Sequence, residues 1–202
     1  MHTDSRTFYK TWTQNNPFQR NKFLLIFSTI IYFIGFISGC LFLYFFYANI
    51  PSLEMFSTLE NSFVVEGNPT LFAIIQNNAR IILVLISGSF MAGLTTFTSL
   101  IFNGYFFGSF FLDSILNGTQ ITTILALTLP HVIFELSAIW IAGAAGFKIP
   151  CELIRYFIGK KEYLLNKQEI TDFLILAVTA LILIVIAAFI EANITMKIAE
   201  II

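Results

Sequence analysis

The sequence predicts an all-α membrane protein, a polytopic bundle of about five transmembrane helices with a short third span and a Pro-kinked fourth. Three observations lead there. Of 202 residues, 57% are hydrophobic and 11% charged, where an ordinary soluble domain carries about 25% charged residues. Too little polar surface remains to coat a globule in water. Phenylalanine occurs 24 times, a load that lipid-facing helices tolerate. The apolar residues also gather into runs of membrane length separated by polar segments.

The first run, Phe23–Tyr47, exceeds the ~30 Å hydrocarbon core at ~1.5 Å rise per residue. It is too long for a signal-peptide apolar region and lacks a small-residue cleavage site, so it reads as retained. The second, Leu71–Phe102, opens with a polar patch (Gln76, Asn77, Asn78, Arg80) and is longer than one span needs. The third, Gly104–Leu116, is short and carries Asp113, which implies bilayer thinning or shielding by neighbouring helices. The fourth, Ile121–Phe147, contains Pro130. Proline has no N–H, so the carbonyl of Ala126 loses its helical partner, and a kink is expected beside His131. The fifth, Phe173–Ile190, is closed by Glu191.

Lysine and arginine set the orientation. Arg6, Lys10, Arg20 and Lys22 precede the first span; Lys148, Arg155, Lys160, Lys161 and Lys167 follow the fourth. The loop from Ala48 to Thr70 has neither type, only Glu54, Glu60 and Glu66. Five spans put both basic segments in the cytoplasm, with the N-terminus inside and the C-terminus outside at the cell membrane. The whole chain, 1–202, reads as one membrane domain with a cytoplasmic segment 1–22 and a cytoplasmic interfacial segment 148–171. Within Ile149–Leu165 the apolar Leu153, Ile154, Phe157, Ile158, Leu164 and Leu165 share most of one helical face, a pattern for a helix lying on anionic lipid. Pro51–Glu60 is its external counterpart. Cys40 and Cys151 provide no disulfide framework. A net charge of −1 gives no reason to expect nucleic acid as a partner.

Small residues let helices approach closely in lipid. Gly35 and Gly39, Gly104 and Gly108, Ser89 and Gly93, and Ala138, Ala142 and Gly146 each recur at a spacing of four, with Gly88 and Gly143 beside them. These are expected packing seams within the chain, which leave a homo-oligomer open.

His131 and Glu135, also four apart, share a helical face. By helical rise from the external end, His131 lies ~15 Å deep, Glu135 ~21 Å and Arg80 ~13 Å. Hydrocarbon does not host such groups singly, so Asn77, Asn78, Arg80, His131, Glu135 and Glu191 are expected to form one intramembrane polar cluster, with Arg80 meeting Glu135 or Glu191. Four readings compete for it: a structural lock on helix order, a proton or solute pathway, a metal site, and an intramembrane hydrolase. The metal reading lacks a nearby third ligand. The hydrolase reading lacks a nucleophile beside His131, and HxxxE lacks the second histidine of HExxH. No catalytic residue, resident metal or cofactor is assigned.

The segment LPHVIFELSAIWIAGAAGF resembles the signature of the stage II sporulation protein M family, small polytopic membrane proteins. Pro130, His131, Glu135, Ala138, Ala142, Gly143, Ala144, Ala145 and Gly146 carry the match. Asn77-Asn78, Asn103-Gly104 with Gly108, and Ala187-Ala188 with Glu191 extend it. Ser137 stands where the family pattern has a second proline. The resemblance implies a membrane scaffold. The namesake acts with septal peptidoglycan-degrading partners in endospore formers, while relatives occur in bacteria and archaea that make no spores, some beside transport components of circular-bacteriocin clusters. The leading expectation is a non-enzymatic integral membrane subunit of a multi-protein complex, with the bilayer and other membrane or cell-envelope proteins as partners. The alternative is a small transporter or permease-like component using His131 and Glu135; less favoured is a metal-dependent intramembrane enzyme.

Overall fold

A computed structural model describes residues 16–49 and 70–199, which contain helices and turns and no strand. A short α1 (Pro17–Arg20) leads into α2 (Lys22–Asn49). Then come α3 (Leu71–Ser87), α4 (Leu94–Leu116), α5 (Ile121–Phe157) and α6 (Lys167–Ile190). A π-helical turn (Glu191–Thr195) carries α6 into α7 (Met196–Ala199). Four helices, α2, α4, α5 and the continuous α6–α7 stretch, are long and apolar enough to cross a membrane; α3, with 17 residues, is shorter. The loop with Pro51–Glu60, and the residues Arg6 and Lys10, lie outside the described residues.

The short helix is therefore the second of the five, and the third has 23 residues. The break falls at Gly88–Gly93 and not at Asn103, whose side-chain amide donates to the Ser99 carbonyl (2.7 Å) in mid-helix. After Ser87 the backbone tightens into successive i→i+3 bonds, and the Gly93 N–H closes the turn on the Gly88 carbonyl at 2.7 Å. Ala92 (φ 51°) and Gly93 (φ 82°) take left-handed conformations there, which reverse the chain. No separate helix covers Ile149–Leu165. Residues through Phe157 are the end of α5, which stops in a Schellman motif: Lys160 N–H to Arg155 and Gly159 N–H to Tyr156. The helix runs without interruption through Pro130 and Pro150.

α2 and α4 run parallel and meet along reciprocal glycines. A Cβ at Gly35 or Gly39 would overlap the carbonyl oxygens of Ile101 or Tyr105, and one at Gly104 or Gly108 those of Tyr32 or Phe36. α5 is antiparallel to α2, with Ser28 against Gly143 and Tyr32 against Trp140. The core gathers Ile31, Ile82, Leu85, Leu100, Leu176 and Ile184 around Ala138–Phe147. Outside, Phe23, Phe42, Phe102, Phe106 and Phe189 are all more than 45% exposed, an apolar perimeter suited to lipid and hazardous in water.

Candidate functional site

The signature helix α5 contributes an i, i+4 pair, His131 and Glu135, which faces a second i, i+4 pair from the π-helical turn, Thr195 and Glu191. His131 Nδ1 lies 3.0 Å from Thr195 Oγ1, and Glu135 is within electrostatic reach of Glu191. Because the two helices are antiparallel, the result is a two-rung polar ladder. The π-helical turn brings Thr195 opposite His131; such turns often mark functional sites. Glu135 also borders a cavity of about 170 Å³ shared with Tyr32, Asn103, Phe107 and Leu136. It has no ion pair with a cation among the described residues.

Three of the six expected cluster members, His131, Glu135 and Glu191, are thus together. The α3 residues do not join them by hydrogen bond or ion pair. Asn78 is buried on the inner face of α3 with Ile74, Ile82 and Leu85, whereas Asn77 and Arg80 are exposed. The expected pairing of Arg80 with Glu135 or Glu191 is not formed. Glu135 lies on the α5–α6 seam, and the outer face of α3 turns away from the bundle. Were α3 to lie in lipid, an arginine at its centre would cost roughly 2.5–3.5 kcal/mol on an insertion scale.

The small-residue half of the signature is used in packing. Ala142 through Lys148 are all buried. A Cβ at Gly146 would meet the Leu85 carbonyl and Thr96 Oγ1; one at Gly143 would lie 3.0 Å from Ser28. Gly88 is pressed by Thr96, and Gly93 would place a Cβ 3.1 Å from the Phe147 ring. Pro150 lacks an N–H, which deprives the Gly146 carbonyl of its helical donor. Ser89 fills that place: its hydroxyl donates to the Ala145 carbonyl at 2.9 Å and reaches the Gly146 carbonyl at 3.3 Å.

A second polar site, missed in the sequence, closes the opposite end of the α5–α6 pair. Glu152 accepts from Lys148 Nζ (3.2 Å) and Lys161 Nζ (3.2 Å), with Arg155 at 3.4 Å. Lys161 continues to Glu169 at 2.6 Å, and Glu169 completes a capping box with Asn166 at the start of α6. Asp172, 2% exposed, is held by Arg20 and by Asn21 Nδ2 at 3.1 Å. All of these groups except Lys161 line a cleft of about 500 Å³. Burial pushes the Glu152 and Asp172 carboxyls up, yet Lys148 and Lys161 around the first, and Arg20 and Asn21 around the second, outweigh it and hold both below their ordinary values. The available signal was Asp172, Glu152 and Glu169 among the basic residues flanking two span ends, where only cations enter an orientation count.

Among the described residues no group of three His, Cys, Asp or Glu side chains is placed to hold a metal ion. No solved structure matches the chain. An uncharacterized protein of Methanocaldococcus jannaschii is 39% identical over 179 residues, covering 88% of this chain and 97% of that one. The family model described as stage II sporulation protein M matches residues 28–196, from the middle of the first turns of α2 to the start of α7. That match takes in the glycine seam, the alanine-glycine neck and both rungs of the polar ladder, and with it the chain belongs to the stage II sporulation protein M family.

Proposed function

We propose that the chain is a non-enzymatic integral membrane subunit that organises partner proteins in a multi-protein complex. The observation that carries this reading is the use of the signature. Ala138, Ala142, Gly143, Ala144, Ala145 and Gly146 are buried in helix contacts, so the most distinctive residues build a rigid bundle and leave its perimeter for neighbours. In this reading five helices cross the cell membrane, with the N-terminus cytoplasmic and the C-terminus external. The parallel α2 and α4 support it, because α3 must then return between them. The balanced ionic site would sit at the cytoplasmic margin and the polar ladder in the external half. Purification from native membranes tests the proposal: stoichiometric partners are expected, and a solitary monomer with robust activity in liposomes would overturn it.

One specific observation supports a second reading, a transport component. Glu135 borders a cavity that also exposes Tyr32 and Asn103, a volume sufficient for a few waters. His131 and Glu135 would then line a proton or solute route. Proteoliposome flux with Glu135→Gln separates the readings, since flux equal to the unmodified protein removes the route.

A further inference from the structure

The outer face of α3 combines features that an isolated bundle in lipid does not account for. Gln76, Arg80, Leu83 and Ser87 follow one another at helical spacing and all are exposed. With Ala79 and Val84 they form a shallow groove of about 480 Å³ built from α3 alone. Arg80 has no ion pair among the described residues. It stands nine residues from Leu71 and seven from Ser87, roughly 13 Å and 10 Å by helical rise. A side chain rooted there reaches neither end of the helix from its Cα without crossing most of that distance. On the five-span arrangement, a guanidinium is therefore presented outward near mid-depth.

We propose that this face docks a transmembrane helix of a different protein bearing a carboxylate at the level of Arg80. The inference rests on the subunit reading above and names the chemistry of its partner. Charge complementarity identifies the occupant, because a guanidinium in hydrocarbon calls for an anion that can accept two parallel N–H bonds. Gln76, one turn above, adds a neutral donor and acceptor, and the small Ala79 and Ser87 allow a close backbone approach. A second copy of this chain is a poor fit. A twofold α3–α3 contact sets Arg80 against Arg80. Glu135 and Glu191 belong to the α5–α6 seam, within electrostatic reach of each other, and Asp113 is engaged by Tyr47 (2.6 Å) and Asn117 (3.0 Å).

The test uses the full chain in native membranes, with a photoreactive residue replacing the exposed Leu83 and, separately, the variants Arg80→Glu and Arg80→Lys. The expected result is a cross-link from position 83 to a membrane protein carrying Asp or Glu within a span. Recovery of that protein should fall at least about thirty-fold with Arg80→Glu and be largely kept with Arg80→Lys. Changing the partner's carboxylate to lysine should restore it to Arg80→Glu. Because Arg80 has no ion pair among the described residues, the thermal midpoint of Arg80→Glu in detergent should stay at that of the parent, which excludes misfolding as the cause of loss. Cross-linking to lipid alone, or to a second copy, overturns the docking proposal. So do partners that stay bound to Arg80→Glu, although the subunit reading survives that result. Absence of any stoichiometric partner sinks the subunit reading itself.

Discussion

Gly108→Val is the sharpest probe of how this bundle is held together. The missing Cβ at Gly108 is the space occupied by the carbonyl oxygen of Phe36, a backbone atom that cannot rotate away. Valine therefore forces α2 and α4 apart. Overpacking costs about 1–3 kcal/mol when side chains can give way, and here the obstruction is main chain. Separation also stretches two polar contacts within a turn of the site. Cys40 Sγ donates to the Gly108 carbonyl at 3.3 Å, and Ser109 Oγ donates to the Gly39 carbonyl at 3.3 Å. At ~0.6 kcal/mol for an interhelical hydrogen bond in a membrane protein, the two bring the expected loss to about 2–4 kcal/mol. Equilibrium unfolding in mixed micelles measures it, against Phe110→Ala on the exposed face of the same helix as the reference. Gly39→Val should cost as much. The double variant should cost little more than either, because helices already parted have no contact left to lose there. A Gly108→Val midpoint equal to those of the parent and the reference would refute the seam, and additive losses would show two independent defects.

Three further outcomes follow from the same geometry. Ser89→Ala removes the donor to the carbonyls around Pro150 and should destabilise the bundle by about 1–3 kcal/mol in the same unfolding assay, with Ser89→Thr intermediate. Glu152→Gln strands Lys148, whose side chain is 7% exposed, and should cost about 3–5 kcal/mol, whereas replacing both by apolar residues of similar volume should cost far less. Glu152 and Asp172 are held below their ordinary values of 4.5 and 3.8. Stability from a lowered carboxyl is complete above the unfolded-state value and is lost as pH falls through the folded one. Unfolding midpoints should therefore decline below about pH 4.5, and Glu152→Gln should flatten part of that decline.

How much of this was legible in the sequence depends on which physical signal each feature gives. Composition and run length identify the helical membrane class, because lipid imposes them on the whole chain. The glycine spacing falls on the α2–α4 contact, because close approach leaves no alternative to a missing side chain. The α3–α4 boundary was placed wrongly because Gly88–Gly93 is as apolar as the helices it joins. Hydropathy does not register a turn whose one polar side chain, Ser89, is directed inward onto the α5 carbonyls. Asn103 misled in the opposite sense, being a polar residue whose amide is satisfied inside its own helix. Depth counted along the chain put His131, Glu135, Glu191 and Arg80 in one half of the bilayer, but depth carries no azimuth, and Arg80 lies on the exposed face of α3. The ionic site was invisible for a related reason. Residues 20, 152 and 172 converge only once three helix ends are placed.

The two polar layers on the α5–α6 pair differ in a way that bears on their roles. At one end the carboxylates of Glu152, Glu169 and Asp172 each have a cation in contact, as an ionic layer that fixes helix register requires. At the other, Glu135 lies within electrostatic reach of Glu191, with no cation paired to either among the described residues. Helix order alone does not need that arrangement. A neutral side chain of the same size avoids both the desolvation of a carboxylate and the repulsion from its neighbour. If the ladder is more than a lock, Glu135→Gln should therefore stabilise the isolated protein, by about 1 kcal/mol or more in micellar unfolding, while impairing whatever the protein does in its native membrane. A lock predicts the reverse pairing of results, with stability lost and the assembly's behaviour changed only in proportion. Loss of stability on Glu135→Gln, with function retained in the folded fraction, would return the ladder to a structural role and leave α3 as the surface through which the chain acts.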